Sequence, residues 1–158
     1  MPRIPLTMLL LASLAAAAAA DSAAAAGAAA VSPAPPAEAE AEAVVKAQLD
    51  AYNAHDLAAF VATYADDVQL FEHPATLLAS GSAQLRERYA PRFRDPILHA
   101  EIAKRIVMGN VVVDHEKVTR TFPEGPGHLE AIAIYEVQGG KIAKAWLILG
   151  ARVPAPAK

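Results

Sequence analysis

The stretch Leu129-Glu130-Ala131-Ile132-Ala133-Ile134-Tyr135-Glu136-Val137-Gln138-Gly139-Gly140-Lys141-Ile142-Ala143-Lys144-Ala145-Trp146-Leu147-Ile148-Leu149 holds two runs of alternating and branched apolar residues joined by a pair of glycines. Glycine enters the left-handed region without strain, and a two-residue loop of this kind closes a β-hairpin. Residues 129–138 and 141–149 therefore read as neighbouring antiparallel strands. Working backwards, Ile97 to Met108 and Val111 to Thr121 repeat the pattern, with Gly109-Asn110 as their turn. Phe122 to Gly127, which contains Pro123, Gly125, Pro126 and Gly127, reads as a loop.

Further upstream the period changes. Glu38 to Asn53 contains no helix breaker, and Val45, Leu49 and Tyr52 recur on one helical face that Gln48 shares. Asp56 suits the cap of a second helix, Leu57 to Tyr64, with Phe60 and Tyr64 stacked at i, i+4. Asp66-Asp67 reads as turn chemistry that stops it, and Val68 to His73 as a short strand ended by Pro74. Ser82 is placed to cap a third helix through Tyr89, which Pro91 ends. Helices followed by hairpin-linked strands predict an α+β domain with helices laid on one face of an antiparallel sheet.

This domain, residues 38–150, is shorter than the chain of 158. Met1-Pro2-Arg3, an apolar run from Leu6 to Ala20 and small residues before Asp21 have the charge, length and cleavage pattern of a signal peptide over residues 1–20. Half of that run is alanine, so no membrane anchor is expected after cleavage, and the predicted location is secreted or periplasmic. Residues 21–37, alanine with scattered proline, read as a flexible spacer, and 151–158 as a disordered tail. The absence of cysteine excludes disulfide scaffolds, thiolate metal sites and cysteine nucleophiles. A net charge of −3 leaves no global attraction to nucleic acid. No phosphate loop or nucleophile motif is present, and no cofactor is expected.

Asn53-Ala54-His55-Asp56-Leu57, then Tyr64-Ala65-Asp66-Asp67, a strand ending in His73-Pro74, Gly81-Ser82 opening a helix, and the hairpin Tyr135 to Ile142 occur in that order. This arrangement resembles the SnoaL-like and ketosteroid isomerase branch of the nuclear transport factor 2-like superfamily. The resemblance implies a cone, a strongly curved sheet around an apolar pocket closed by three helices, and a homodimer. Fold does not carry function, so the matched site positions matter more. The resemblance places His73 at the catalytic base, or Glu72 if the strand shifts by one residue. It places Gln48 and Ala133 where the family enzyme has its oxyanion donors. Alanine donates no side-chain hydrogen bond and an amide is a weaker donor than a phenol, so negligible ketosteroid isomerase activity is expected.

Tyr52, Tyr64 and Tyr135 are expected in the pocket wall. The same matching turns Val113, His115 and Lys117 toward the pocket and Val112, Asp114 and Glu116 away from it, while a register shift of one residue exchanges the two faces. His73, His99, His115 and Glu72 are metal-ligand types without metal-motif spacing, so no metal is expected. Arg86, Arg88, Arg92 and Arg94 read as a solvated helix face rather than a nucleic-acid surface. The resulting expectation is an exported protein binding a small apolar molecule, with His73 or Glu72 moving a proton. The alternative is a non-catalytic binding or dimeric association module. A partner set in Ile142, Trp146 and Ile148 is expected on the outer sheet face.

Overall fold

The computed structural model describes residues 36–156. The predicted signal peptide and all of the predicted spacer except Pro36 and Ala37 lie outside the described residues. Helix α1 spans Pro36–Asn53 and so includes those two spacer residues; helix α2 is Leu57–Ala62 and α3 Ser82–Tyr89. Six strands follow the order β1 Tyr64–Glu72, β2 Thr76–Ser80, β3 His99–Met108, β4 Val111–Phe122, β5 Gly125–Gln138 and β6 Lys141–Pro154. They form one sheet in the order β2-β1-β6-β5-β4-β3. Neighbours are antiparallel except β1 and β6, which run parallel, a departure from the wholly antiparallel sheet expected.

The sheet curves because its ladder is interrupted where one strand carries an extra residue, at Ile102/Lys104, at Leu129/Ala131 and at Glu136/Val137. The last of these pairs Val137 with Ile142 while Glu136 pairs with Lys144. Ile142 is thereby turned inward and is fully buried, which corrects its expected place on the outer face. The concave side closes on α1 through Ala41, Val45, Gln48 and Tyr52. Around Phe60 stand Tyr52, Tyr64, Tyr89 and Phe93, with ring centroids 4.7–5.9 Å away. Complete burial of such a ring contributes about 1.5–3 kcal/mol, so Phe60 is what binds the short α2 to the rest.

The motif Asn53-Ala54-His55-Asp56 ties the helices to the sheet. The Asn53 amide donates to Ala100 O at 2.9 Å and accepts from Ala100 N–H at 2.8 Å. His55 lies in the left-handed region at φ 57 and sets Nε2 2.8 Å from Leu98 O. Asp56 caps α2 by accepting from Ala59 N–H. That helix stops two residues before its expected end, because Thr63 O is taken by Ile142 N–H of β6 and Tyr64 opens a strand instead.

Four other boundaries differ from the sequence reading. Edge strand β2 carries no alternation in Thr76-Leu77-Leu78-Ala79-Ser80 and forms because it pairs with β1. Gly81 at φ 85, not Ser82, caps α3, and the Gln84 side chain accepts from Ser80 N–H at its entrance. The predicted loop 122–127 is only a turn at Pro123-Glu124, since the ladder runs on to Phe122 and Gly125. The predicted tail continues β6 to Pro154, paired with Gly127, His128 and Leu129. A β-carbon on Gly127 would stand 2.6 Å from Val153 O, so the close approach of these strands depends on glycine there.

Candidate functional site

The concave face and the helices enclose a cavity. Gln48, Leu49 and Tyr52 of α1 and Arg88 and Tyr89 of α3 form one side; Arg92 follows in the short 310 turn Arg92–Arg94. The sheet supplies Glu116, Val118 and Arg120 from β4, Leu129, Ala131 and Tyr135 from β5, and Leu147 and Leu149 from β6. Its free volume is about 60 Å³, well under the ~150 Å³ that accommodates a benzene molecule. A small ligand fits as the structure stands, and a larger one requires side chains to move.

Strand parity decides which residues reach this space. On β4, Val112, Asp114, Val118 and Phe122 are buried, so the even-numbered residues face inward. His115 accordingly lies on the outer face, half-exposed, with Nε2 3.2 Å from Glu130 Oε2. The expected inward set Val113, His115 and Lys117 is therefore corrected by one residue, and Asp114 and Glu116 take its place. The burial of Val118 and Phe122 is the signal that sets the parity, and both stand in the sequence.

Asp114 is 1% exposed and receives Arg105 Nε and NH2 on its two oxygens, each at 2.7 Å. That bidentate bond holds the guanidinium pKa above its ordinary value, against the opposing effect of burial. Glu116, two residues along the same face, has no such partner. Burial, then the neighbouring Asp114 charge, push its carboxyl up to about 7, with Arg105 opposing. The part of Glu116 that stays accessible is cavity wall.

The expected catalytic pair lies elsewhere. His73 is exposed in the turn after β1, its backbone N–H on Leu147 O at 2.9 Å, and it does not line the cavity. The reason is again parity: Phe71 turns outward to stack on Trp146 at 5.7 Å, while Val68 and Leu70 turn inward. Glu72 has the inward parity and is close enough to Arg88 to favour its charge, but it is exposed at the strand end, outside the cavity wall.

Of the expected ligand-binding residues, Gln48, Tyr52 and Tyr135 line the cavity. Tyr64 and Ala133 are buried on the same concave side without lining it. Gln48 Nε2 donates to the Tyr64 hydroxyl at 3.2 Å. Burial raises the phenol pKa values of Tyr52, Tyr64, Tyr89 and Tyr135, with Arg92 opposing it at Tyr89 and at Tyr52, so all four remain proton donors at neutral pH. Among the described residues no three His, Asp or Glu side chains gather as a metal site, and no helix is long and apolar enough to cross a membrane.

The arginine strip is the other correction. Arg86 and Arg94 are exposed as expected, but Arg88 and Arg92 point into the cavity, four residues apart, and meet Arg120 there. Helical spacing carries the signal: Leu85, Arg88, Tyr89 and Arg92 stand at i, i+3, i+4 and i+7, the face on which Leu85 and Tyr89 are buried, and Arg86 falls off it.

The sequence profile of the SnoaL-like domain matches residues 45–145, and with the cone-shaped sheet it shows that the chain belongs to this family. Among solved structures, an uncharacterized cystatin-fold protein from Novosphingobium aromaticivorans is 28% identical, with 69% of this chain and 97% of that chain covered at a TM-score of 0.62. An NTF2-like protein from Mesorhizobium loti is 14% identical, with 75% and 97% covered at 0.63. An LEH-like epoxide hydrolase from M. tuberculosis is 19% identical, with 72% and 85% covered at 0.60. The last two likenesses concern the fold alone. No curated protein matches the sequence.

Proposed function

We propose that this chain is an exported small-molecule-binding protein of the SnoaL-like family whose cavity transfers protons without a cofactor, with Glu116 as the group that carries them. One observation carries the reading: an unpaired carboxyl in the cavity wall, held by burial at about 7. A general acid–base group works best with its pKa near the working pH. The Tyr52 and Tyr135 phenols stand in the same wall and are suited to donate to a developing enolate oxygen. In that step Glu116 takes a proton from carbon α to a carbonyl, and the phenols stabilise the oxygen. The proton then returns from the carboxyl to carbon or to solvent.

Deuterium exchange into acetone, the smallest ketone, followed by proton NMR, tests this. The expected exchange is faster than in buffer, rises with pH through about 7 and is abolished in Glu116→Gln. Exchange at the buffer rate, or exchange that survives the substitution, refutes the reading.

A second reading, the dimeric association module, is supported by the outer sheet face. Phe71, Trp146, Ile134, Val113 and Ile106 lie side by side across five strands, with Ile106 53% exposed and nearby Met108 72% exposed. A continuous apolar row of this extent suits a second copy of the chain. The two readings are compatible, since cavity and row lie on opposite faces of the sheet.

A further inference from the structure

Three guanidiniums line the cavity together. Arg88, Arg92 and Arg120 come from α3, the 310 turn and β4, and all three line the same space. None is ion-paired among the described residues; the ion pairs present are Lys46–Asp50, Arg105–Asp114, His115–Glu130 and Arg152–Glu124. Of the acids around them, Glu116 shares the cavity wall but makes no ion pair with any of the three, and the others are engaged or remote. Asp95 spends its oxygens on Thr121 and on Ile97 N–H, and Glu72 is exposed beyond the wall.

Aromatic rings, rather than carboxylates, hold two of the three in place. Arg92 lies over the Tyr89 ring at 5.0 Å and Arg120 over Phe122 at 4.5 Å. A guanidinium stacked by its face keeps its N–H edge available, the geometry that grips a carboxylate with two parallel hydrogen bonds. Arg88 adds a direct sign of a missing acceptor: its Nε is buried and has no hydrogen-bond partner. A buried donor left alone costs about 1–3 kcal/mol, so a native protein that keeps one has a use for it. The arginines also act on each other, since Arg92 lowers the pKa of Arg88 and of Arg120, in each case after burial as the larger cause.

Beside these cations and the polar groups of Gln48, Glu116 and the tyrosines, the wall offers an apolar stretch of Val118, Leu129, Ala131 and Leu147. We propose that the ligand of this cavity is a small monocarboxylic acid, its carboxylate held by Arg88, Arg92 and Arg120 and its short apolar body laid on the floor. This rests on the reading of the cavity as a small-molecule site and replaces the purely apolar ligand expected from the sequence with an amphipathic anion. A monocarboxylate is favoured over a bulkier dianion because the free volume is only about 60 Å³.

The test is calorimetric binding of the purified protein at pH 6 to straight-chain alkanoates from acetate to octanoate, each against its primary amide of equal shape. The expected result is that at least one acid binds and exceeds its amide by about tenfold or more. That preference should shrink with added salt and vanish in Arg92→Gln and Arg120→Gln. Acid and amide binding equally overturns the anion assignment and leaves the small-molecule cavity standing, whereas a series in which neither member binds overturns both. Stability gives an independent readout. Relieving a like-charge cluster should leave the melting temperature of Arg120→Gln at or above the parent value, and a marked fall would make Arg120 a packing residue and overturn its role here.

Discussion

Glu116→Gln should change the pH dependence of stability in a direction that burial dictates. The folded state holds the Glu116 carboxyl at about 7 against an ordinary 4.5. Between those values the folded chain binds a proton that the unfolded chain has released, so stability falls as pH rises through this window. At ~1.4 kcal/mol per pKa unit the full effect is about 3–4 kcal/mol, and access of cavity water lowers the expectation to about 2–3 kcal/mol. Glutamine has the same shape and no titration. The stability of the variant minus that of the parent should therefore be constant below about pH 4.5, increase toward pH 7 and level off above it. Urea denaturation of both proteins at half-unit pH intervals measures the difference directly. A difference that is flat across the window, or that increases toward acid, would refute the claim that burial governs this carboxyl.

Arg105→Met should cost about 3–5 kcal/mol by leaving the buried Asp114 unpaired, and adding Asp114→Leu should restore most of it in chemical denaturation. Gly127→Ala should cost about 1–3 kcal/mol, read as a lowered melting temperature, because its β-carbon would meet Val153 O at 2.6 Å. Trp146→Glu should convert a dimer to a monomer in sedimentation, and a parent protein that is already monomeric at all concentrations removes the dimer argument. Turnover of a steroid isomerase substrate should be negligible, because Ala133 donates nothing and Gln48 already donates to Tyr64; a specialised enzyme's rate would refute the residue matching.

The elements that could be read in the sequence are those whose signal is local. The Gly139-Gly140 hairpin, the Asp56 cap and the face Val45, Gln48, Tyr52 all lie where periodicity and turn chemistry put them. What could not be read depends on partners distant in the chain. Thr76–Ser80 becomes a strand only beside β1, and residues 151–154 become one only because Gly127 leaves room for them. The composition of the final segment, two prolines among small residues, argues for a tail, and the ladder to β5 overrides it.

The site was harder to read than the fold because its residues are selected by parity, and parity reverses with a shift of one residue. In Val111-Val112-Val113 every position is apolar and the register is hidden. Val118 and Phe122, four apart in an otherwise polar stretch, already assign the even positions to the core. Carried back along β4, they bring Glu116 and Asp114 inside and His115 out. The same rule on β1, anchored by Val68 and Leu70, takes His73 off the inner face and leaves the cavity without a histidine. The proton transfer we propose then rests on a carboxyl that burial raises to about 7 rather than on an imidazole, and that is why its pH profile, not its family resemblance, is the decisive measurement.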